Sequence, residues 1–377
     1  MKIVVATALY PPEIENLSTY SQDIASFLAE KHQVKVLAYA NEVEESSGFQ
    51  IHTISKKQPL WLRLIKYTIK LFSLSRKADI IYVQNSVAVG LPAIIVKILS
   101  GKNVIINFSE DEAWKRAINL SLTTKSYNDF IRSSAKQKLG NIMKLQAFIL
   151  RNASAVIVPS KTLGEIISDV YGLREQKVFV NYIAEHSEQK LPFDIDKNNY
   201  QIFTAAPLLE YAGLEATIKT LAVLIRNFPE AKLLISGDGP AKESLKRLAS
   251  DLEISDKVDF LGKISLAQNW YLYKSSGVYV YNFKANDFSH NISTAWLAEL
   301  PVVGADTEVA REMSSDHGAI LFFKPNDSRD MSQKITNIFE AQELKNKLIL
   351  SARENLQKRF SWSAHLARLE NIFQSFK

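Results

Sequence analysis

The chain contains no cysteine. That excludes disulfides, thiolate-held metal ions and a cysteine nucleophile, and it makes a reducing cytoplasm the expected compartment. Glycine is scarce as well: 13 in 377 residues is about half the usual 7%. Few backbone positions can therefore approach a ligand without a Cβ in the way. Long hydrophobic runs are also missing. The most apolar stretch, Val87 to Ser100, is broken by Pro92 and Lys97 and falls short of the roughly 20 residues a bilayer-spanning helix needs. The opening Met1-Lys2-Ile3-Val4-Val5-Ala6 meets Pro11-Pro12 without a small-residue cleavage site, which reads as a first strand rather than a signal peptide.

What is present fits a soluble globular chain, with 46% hydrophobic and 23% charged residues. At this length two domains are expected, each able to bury its own interior. The net charge of +6 favours phosphate-rich or anionic-lipid partners, but Lys and Arg are dispersed and no nucleic-acid motif accompanies them. No nucleic-acid partner is expected. His32, His52, His186, His317 and His365 show no ligand spacing, so no metal site is expected either.

In the first half, short β-branched runs at Lys2 to Ala6, Val34 to Ala38, Ile80 to Val83, Val104 to Asn107, Ala155 to Val158 and Val178 to Asn181 alternate with helical segments. That rhythm predicts parallel βαβ units. A polar stretch from Glu185 to Asn199 has no apolar period and reads as a linker. The rhythm restarts with strands at Gln201 to Thr204, Leu233 to Ser236, Lys257 to Leu261, Val278 to Tyr281 and Pro301 to Val303. Phe360-Ser361-Trp362 opens a last amphipathic helix with Leu366, Leu369, Ile372 and Phe373 on one face. The expected domains are 1–190, joined by the helix of 360–377, and 197–359. Ligands of such sheets bind beyond the carboxyl ends of the strands, so two facing sheets are expected to flank one cleft.

Several segments share an order and spacing. They are Ala8-Leu9-Tyr10-Pro11-Pro12-Glu13-Ile14, Asp111 with Ala113, Trp114 and Arg116, and Ala155-Val156-Ile157-Val158-Pro159-Ser160 in the first half. In the second they are Gly213, Ser236-Gly237-Asp238-Gly239-Pro240, Phe260-Leu261-Gly262-Lys263, Asn282 with Phe288-Ser289-His290, Leu300-Pro301-Val302-Val303 and Phe360-Ser361-Trp362. Together they resemble the GT-B glycosyltransferases of family 4, retaining enzymes that use nucleotide-sugar donors. The resemblance implies an α/β chain of two Rossmann-like doubly wound parallel-sheet domains, with the C-terminal helix returning to the first. It also implies hexosyl transfer in surface polysaccharide or glycoconjugate assembly, with a nucleotide-sugar donor held by the second domain, a saccharide or lipid-linked acceptor at the first, and no cofactor.

The same resemblance implies site residues. Asp111 and His290 stand as catalytic candidates; Gly237, Asp238, Gly239, Asn286, Phe288, Ser289, Thr294 and Glu312 as donor contacts; Glu15 and Asn16 as an acceptor or phosphate loop. Gly237-Asp238-Gly239 fits both a helix cap that approaches a nucleotide base and a plain tight turn. His290 fits both a donor-sugar contact and a loop residue held by packing. The family's arginine and lysine, which would face the diphosphate, fall on Pro207 and Ala212, and its two glutamates on Asn286 and Thr294. Its glycine pairs fall on Glu15-Asn16 and Glu308-Val309. A non-catalytic relative that partners or stabilises an active transferase is therefore the second reading.

Residues 56–77 mix Trp61, Leu64, Leu71 and Phe72 with Lys57, Arg63, Lys66, Lys70, Arg76 and Lys77. Such a segment fits an ordinary surface helix covering a sheet, and it also fits peripheral contact with an anionic membrane at its cytoplasmic face. A second cationic helix is predicted over Arg132 to Arg151.

Overall fold

The computed structural model describes residues 1–13, 16–43, 48–133, 135–184, 195–283, 290–315 and 318–377, with the backbone alone at 16, 17, 132, 135 and 136. Two compact units emerge. The first comprises Met1–Leu120, Ser133–Asn181 and Leu366–Lys377; the second comprises Ser121–Arg132 and Tyr182–His365.

The first unit holds seven parallel strands: β1 (Lys2–Thr7), β2 (Gln33–Tyr39), β3 (Gln50–Ile54), β4 (Ile80–Val83), β5 (Asn103–Asn107), β6 (Ala155–Val158) and β7 (Val178–Val180). Their order is β3-β2-β1-β4-β5-β6-β7. The direction of growth reverses between β1 and β4. The inner strands β4 and β6 are buried along their whole length, as strands covered on both faces must be. At the edge, β3 (Gln-Ile-His-Thr-Ile) is only half-buried and carries the polar residues an edge tolerates.

The sequence reading omits β3, because its alternation lacks the continuous apolar run that marks the inner strands. It also merges residues 132–151 into one helix. The described chain instead ends a short helix at Lys138 and starts another at Gly140–Asn152.

The last helix, Trp362–Gln374, carries the returning segment onto the first sheet. Leu369, Ile372 and Phe373 are buried, and the Phe373 ring meets Tyr82 of β4 edge-on at 5.2 Å. Glu370 pairs with Lys31 at 3.4 Å. The Asn103 amide donates to the Phe376 carbonyl at 2.7 Å, and Arg368 Nε donates to Asn181 Oδ1 at 3.0 Å.

The second unit holds six parallel strands: β8 (Gln201–Ala205), β9 (Lys232–Ser236), β10 (Val258–Gly262), β11 (Val278–Tyr281), β12 (Val302–Ala305) and β13 (Leu321–Phe323). Their order is β10-β9-β8-β11-β12-β13, reversing between β8 and β11. β13 is a three-residue edge strand, too short to register as a period in sequence.

Because Phe373 fills a fully buried position against Tyr82, Phe373→Ala should lower the stability of the first unit by about 3–5 kcal/mol. Guanidinium unfolding followed by circular dichroism measures this. A loss within the about 0.5 kcal/mol typical of surface changes would contradict the docking.

Candidate functional site

In an open parallel sheet the ligand crevice lies outside the carboxyl ends of the strands where their order reverses. In the second unit that point is flanked by the loop after β8 (206–213) and by the residues after β11. Gly213 caps the helix Leu214–Leu224 in the left-handed conformation, φ +66°. A Cβ there would come within 2.3 Å of the Asn282 carbonyl oxygen. The buried Asn282 amide donates to the Gly213 carbonyl at 2.6 Å. Asn291, in the helix His290–Leu297, donates to the Ala205 carbonyl at the end of β8 at 2.7 Å. Two amides thus tie the carboxyl ends of β8 and β11 together.

The loop after β9 packs on the same place. Leu208 N–H donates to the Asp238 carbonyl and Ala241 N–H to the Leu208 carbonyl, both at 3.0 Å, while Gly237 N–H donates to the Gly262 carbonyl at 2.8 Å. Gly237 has φ +133°, and a Cβ on it would lie 1.9 Å from the Ala206 carbonyl oxygen; one on Gly239 would lie 2.5 Å from that of Leu208. Backbone approach between two protein loops therefore requires both positions to lack a Cβ. Asp238 is exposed and its Oδ1 accepts from Gly239 N–H at 3.0 Å.

His290 is exposed at the first turn of its helix, and its carbonyl accepts from the Thr294 hydroxyl at 2.8 Å and from the Ser293 hydroxyl at 3.1 Å. Asn286, Phe288 and Ser289 lie outside the described residues, as does Glu15; of Asn16 only the backbone, at the start of the helix Asn16–Ala29, is described.

Glu312 sits in the helix Glu308–Ser314 within a network that sequence reasoning did not single out. Arg359 donates from Nη2 to the Glu312 carbonyl at 2.9 Å and from Nη1 to the Met313 carbonyl at 3.0 Å, and its guanidinium lies 4.5 Å from the centre of the Tyr182 ring. Burial, then the Glu312 charge, raise the Tyr182 hydroxyl above its usual range against the opposing pull of Arg359. Nothing in the local sequence marks Tyr182 or Arg359, since their partners lie about a hundred or more and about fifty residues away. At the end of β12, Arg311 chelates Asp306 through Nε and through Nη2, the latter at 2.6 Å. Those hydrogen bonds hold the Asp306 carboxyl below the usual range.

The charges at this edge are mainly acidic among the described residues. Glu210, Glu215, Asp238, Glu243, Asp306, Glu308 and Glu312 lie on the loops and helix starts after β8, β9 and β12, against Lys242 and Arg311, the latter already engaged by Asp306. Pro207 is exposed and Ala212 buried, and neither offers a cation to a diphosphate.

In the first unit, Asp111 caps the helix Glu112–Asn119, accepting from Trp114 N–H at 2.9 Å. Its second oxygen accepts from Gln146 Nε2 at 3.2 Å and from the Tyr171 hydroxyl. It is buried. The geometry makes this carboxylate a cross-link between three helices. Among the described residues, no cluster of three His, Asp or Glu could hold a metal ion.

A doubly wound parallel sheet in each unit is the architecture of the GT-B glycosyltransferases. The sequence pattern described as glycosyltransferase family 4 matches residues 17–182, and that described as glycosyl transferases group 1 matches residues 185–355. The chain belongs to these glycosyltransferases, its two halves each matched by one pattern.

Among solved structures it is similar to Anabaena Alr3699/HepE in complex with UDP, at 17% identity and a TM-score of 0.75 over 100% of both chains. It is also similar to WaaG, a glycosyltransferase involved in lipopolysaccharide biosynthesis, at 13% identity and a TM-score of 0.65 over 100% of this chain and 99% of that one. At those identities the likeness speaks for the fold.

Curated relatives include the lipopolysaccharide core biosynthesis glycosyltransferase LpsE of Rhizobium meliloti, 23% identical over 57% of this chain and 62% of its own. The O-antigen chain mannosyltransferase RfbU of Salmonella typhimurium is 26% identical over 50% of this chain and 52% of its own. Across the curated relatives the chain spans between 29% and 63% of their length.

Two substitutions test the packing described for this region. Asp111→Ala leaves the Gln146 amide and the Trp114 N–H without their acceptor and should lower first-unit stability by about 1–3 kcal/mol in thermal unfolding. Gly237→Ala should destabilise the second unit by more than the about 1 kcal/mol that separates Gly from Ala elsewhere, read in the same assay; a neutral result would mean that the two loops are not in contact.

Proposed function

We propose that this chain acts in the assembly of surface polysaccharide or glycoconjugate by receiving a nucleotide-sugar at the carboxyl edge of the second sheet. In this reading it passes the sugar, with retention at the anomeric carbon, to a saccharide or lipid-linked acceptor at the first unit. The observation that carries this reading is the braced reversal between β8 and β11. Asn282, Gly213 and Asn291 hold the two strand ends and the start of the helix Leu214–Leu224 in fixed relation, which is the frame a nucleotide requires. HepE binds UDP and UDP-glucose according to its structures, which makes UDP-sugars the first donors to try.

Within this reading His290 and Thr294 contact the donor sugar from the first turns of their helix, and Glu312 faces it from the next. Asn286, Phe288 and Ser289 belong to the same contact set, and Glu15 and Asn16 serve the acceptor or a phosphate. Asp111 acts as a positioning residue, because its oxygens are engaged by Trp114, Gln146 and Tyr171.

One observation favours a second reading, a non-catalytic subunit that stabilises an active transferase. Charge grows on a nucleoside diphosphate as the sugar bond breaks, and cations or helix amino ends must stabilise it. Here Pro207 and Ala212 replace the cations expected from the family, and Glu308 stands in the first turn of the helix after β12.

Calorimetry of the full chain with UDP-glucose and a panel of other nucleotide-sugars separates the two. Micromolar binding weakened by Gly213→Val, which would push a side chain into Asn282, is the expected outcome for a donor site at the reversal. Absence of binding to every donor, with the fold intact, would leave only the partner role.

A further inference from the structure

Right-handed crossovers place the helices Leu60–Ser75, Gly90–Ser100 and Gly140–Asn152, which lead into β4, β5 and β6, on one face of the first sheet. The first two lie side by side. Their inner sides do what a covering helix should: Tyr67, Leu71 and Ser75 of one, and Pro92, Ala93, Ile94 and Val96 of the other, are buried. Their outer sides do not.

On the helix Leu60–Ser75 the spacing of four, four and three aligns Trp61, Ile65, Ile69 and Phe72 on the outward face. Trp61 and Ile69 are each 64% exposed. On the neighbouring helix Ile95, Ile98 and Leu99 point outward, the last two 66% and 67% exposed. A helix that is apolar all round is normally covered on every side, and contiguous apolar surface of this kind marks an interaction face.

The flank of this patch is cationic. Arg63, Lys66 and Lys70 fall along one edge of the outward stripe by the three-and-four spacing, Arg76 and Lys77 follow the end of the helix, and Lys66, Arg76 and Lys77 are exposed. From residue 46 to residue 109 the chain carries nine Lys and Arg against one acidic residue, Asp79, an excess larger than the +6 of the whole chain. Not all of these charges are available. Lys97 donates to the Ser154 hydroxyl at 2.8 Å and Lys56 is paired with Glu13. Arg63 is half-buried with its guanidinium 5.8 Å from the centre of the Tyr39 ring, and Lys70 is half-buried, whereas Lys66, Arg76 and Lys77 remain in solvent.

We infer that this two-helix face is a docking surface for an anionic lipid bilayer. The helices lie in the interface, Trp61, Ile65, Ile69, Ile98 and Leu99 enter the headgroup and acyl boundary, and Lys66, Lys70, Arg76 and Lys77 meet lipid phosphates. Charge selects this occupant over a second copy of the chain. A two-fold contact sets a patch against itself, which would bring the two cationic rows together. The surface stands apart from the donor reading, because vesicle binding needs no nucleotide-sugar.

The test is flotation of the full chain with vesicles of equal parts phosphatidylglycerol and phosphatidylcholine, and with phosphatidylcholine alone. Binding to the anionic vesicles, with a blue shift of emission that Trp61→Phe removes, is expected. Lys66→Gln with Lys70→Gln should weaken it about 25-fold at low salt, about fivefold for each lysine. Ile69→Ser with Ile98→Ser should remove the part that survives high salt. All five positions lie at the surface or only half-buried, so the variants should keep the native circular dichroism.

Three results would overturn the inference. One is a folded chain that stays with the aqueous fraction; another is flotation indifferent to both pairs of substitutions. The third is a concentration-dependent dimer, seen by light scattering and abolished by Ile69→Ser with Ile98→Ser, which would assign the face to a second copy.

Discussion

Strands in a parallel sheet have no solvent face, and both sides of each sheet in this protein must therefore be covered by helices. In the first unit this requirement is met unevenly. Growth from β4 through β7 places successive crossover helices on one face, whereas growth from β1 to β2 supplies the opposite face with the helix Asn16–Ala29. The rest of that face is closed by the end of the chain. Phe373 against Tyr82, Glu370 against Lys31 and the Phe376 carbonyl against Asn103 complete a layer that no crossover of the sheet provides. A segment nearly three hundred residues from β4 is thus part of the first core.

The second sheet obeys the same rule, and its function-bearing feature arises where the rule changes direction. At β8 and β11 the crossovers leave to opposite faces, which is where a parallel sheet of this kind opens a crevice at its strand ends. Three of the chain's 13 glycines lie there. Gly213 lets the helix start lie against Asn282, and Gly237 and Gly239 let the loop after β9 lie against that after β8. These contacts are between protein segments, so the frame stands without any bound group. The chemistry of the frame is separate from its shape: its described side chains are mainly acidic or neutral, although each of the two sequence halves matches a glycosyltransferase pattern.

Much of the architecture was legible. Apolar runs such as Ile80-Ile81-Tyr82-Val83 and Ala155-Val156-Ile157-Val158 are inner strands because a run with no polar break must be covered on both sides. The edge strands β3 and β13 were missed for the converse reason, being half-solvated or too short to show a period. The candidate site was read less well. Asp111 has the position of a reactive carboxylate after β5, and only the folded chain brings Gln146 and Tyr171, thirty-five and sixty residues on, to its oxygens. Arg359 and Tyr182 around Glu312 were invisible for the same reason.

By itself the sequence determined two parallel α/β sheets, the returning helix and a family-like order of loops, because those follow from local periodicity and spacing. The tertiary structure alone decided which polar groups are already satisfied and which apolar faces are left uncovered. The helix Leu60–Ser75 shows the difference: its period says that Trp61, Ile65 and Ile69 share a side, but their exposure depends on what the rest of the fold lays over them. Coverage is a long-range property of packing, and no window of the sequence contains it.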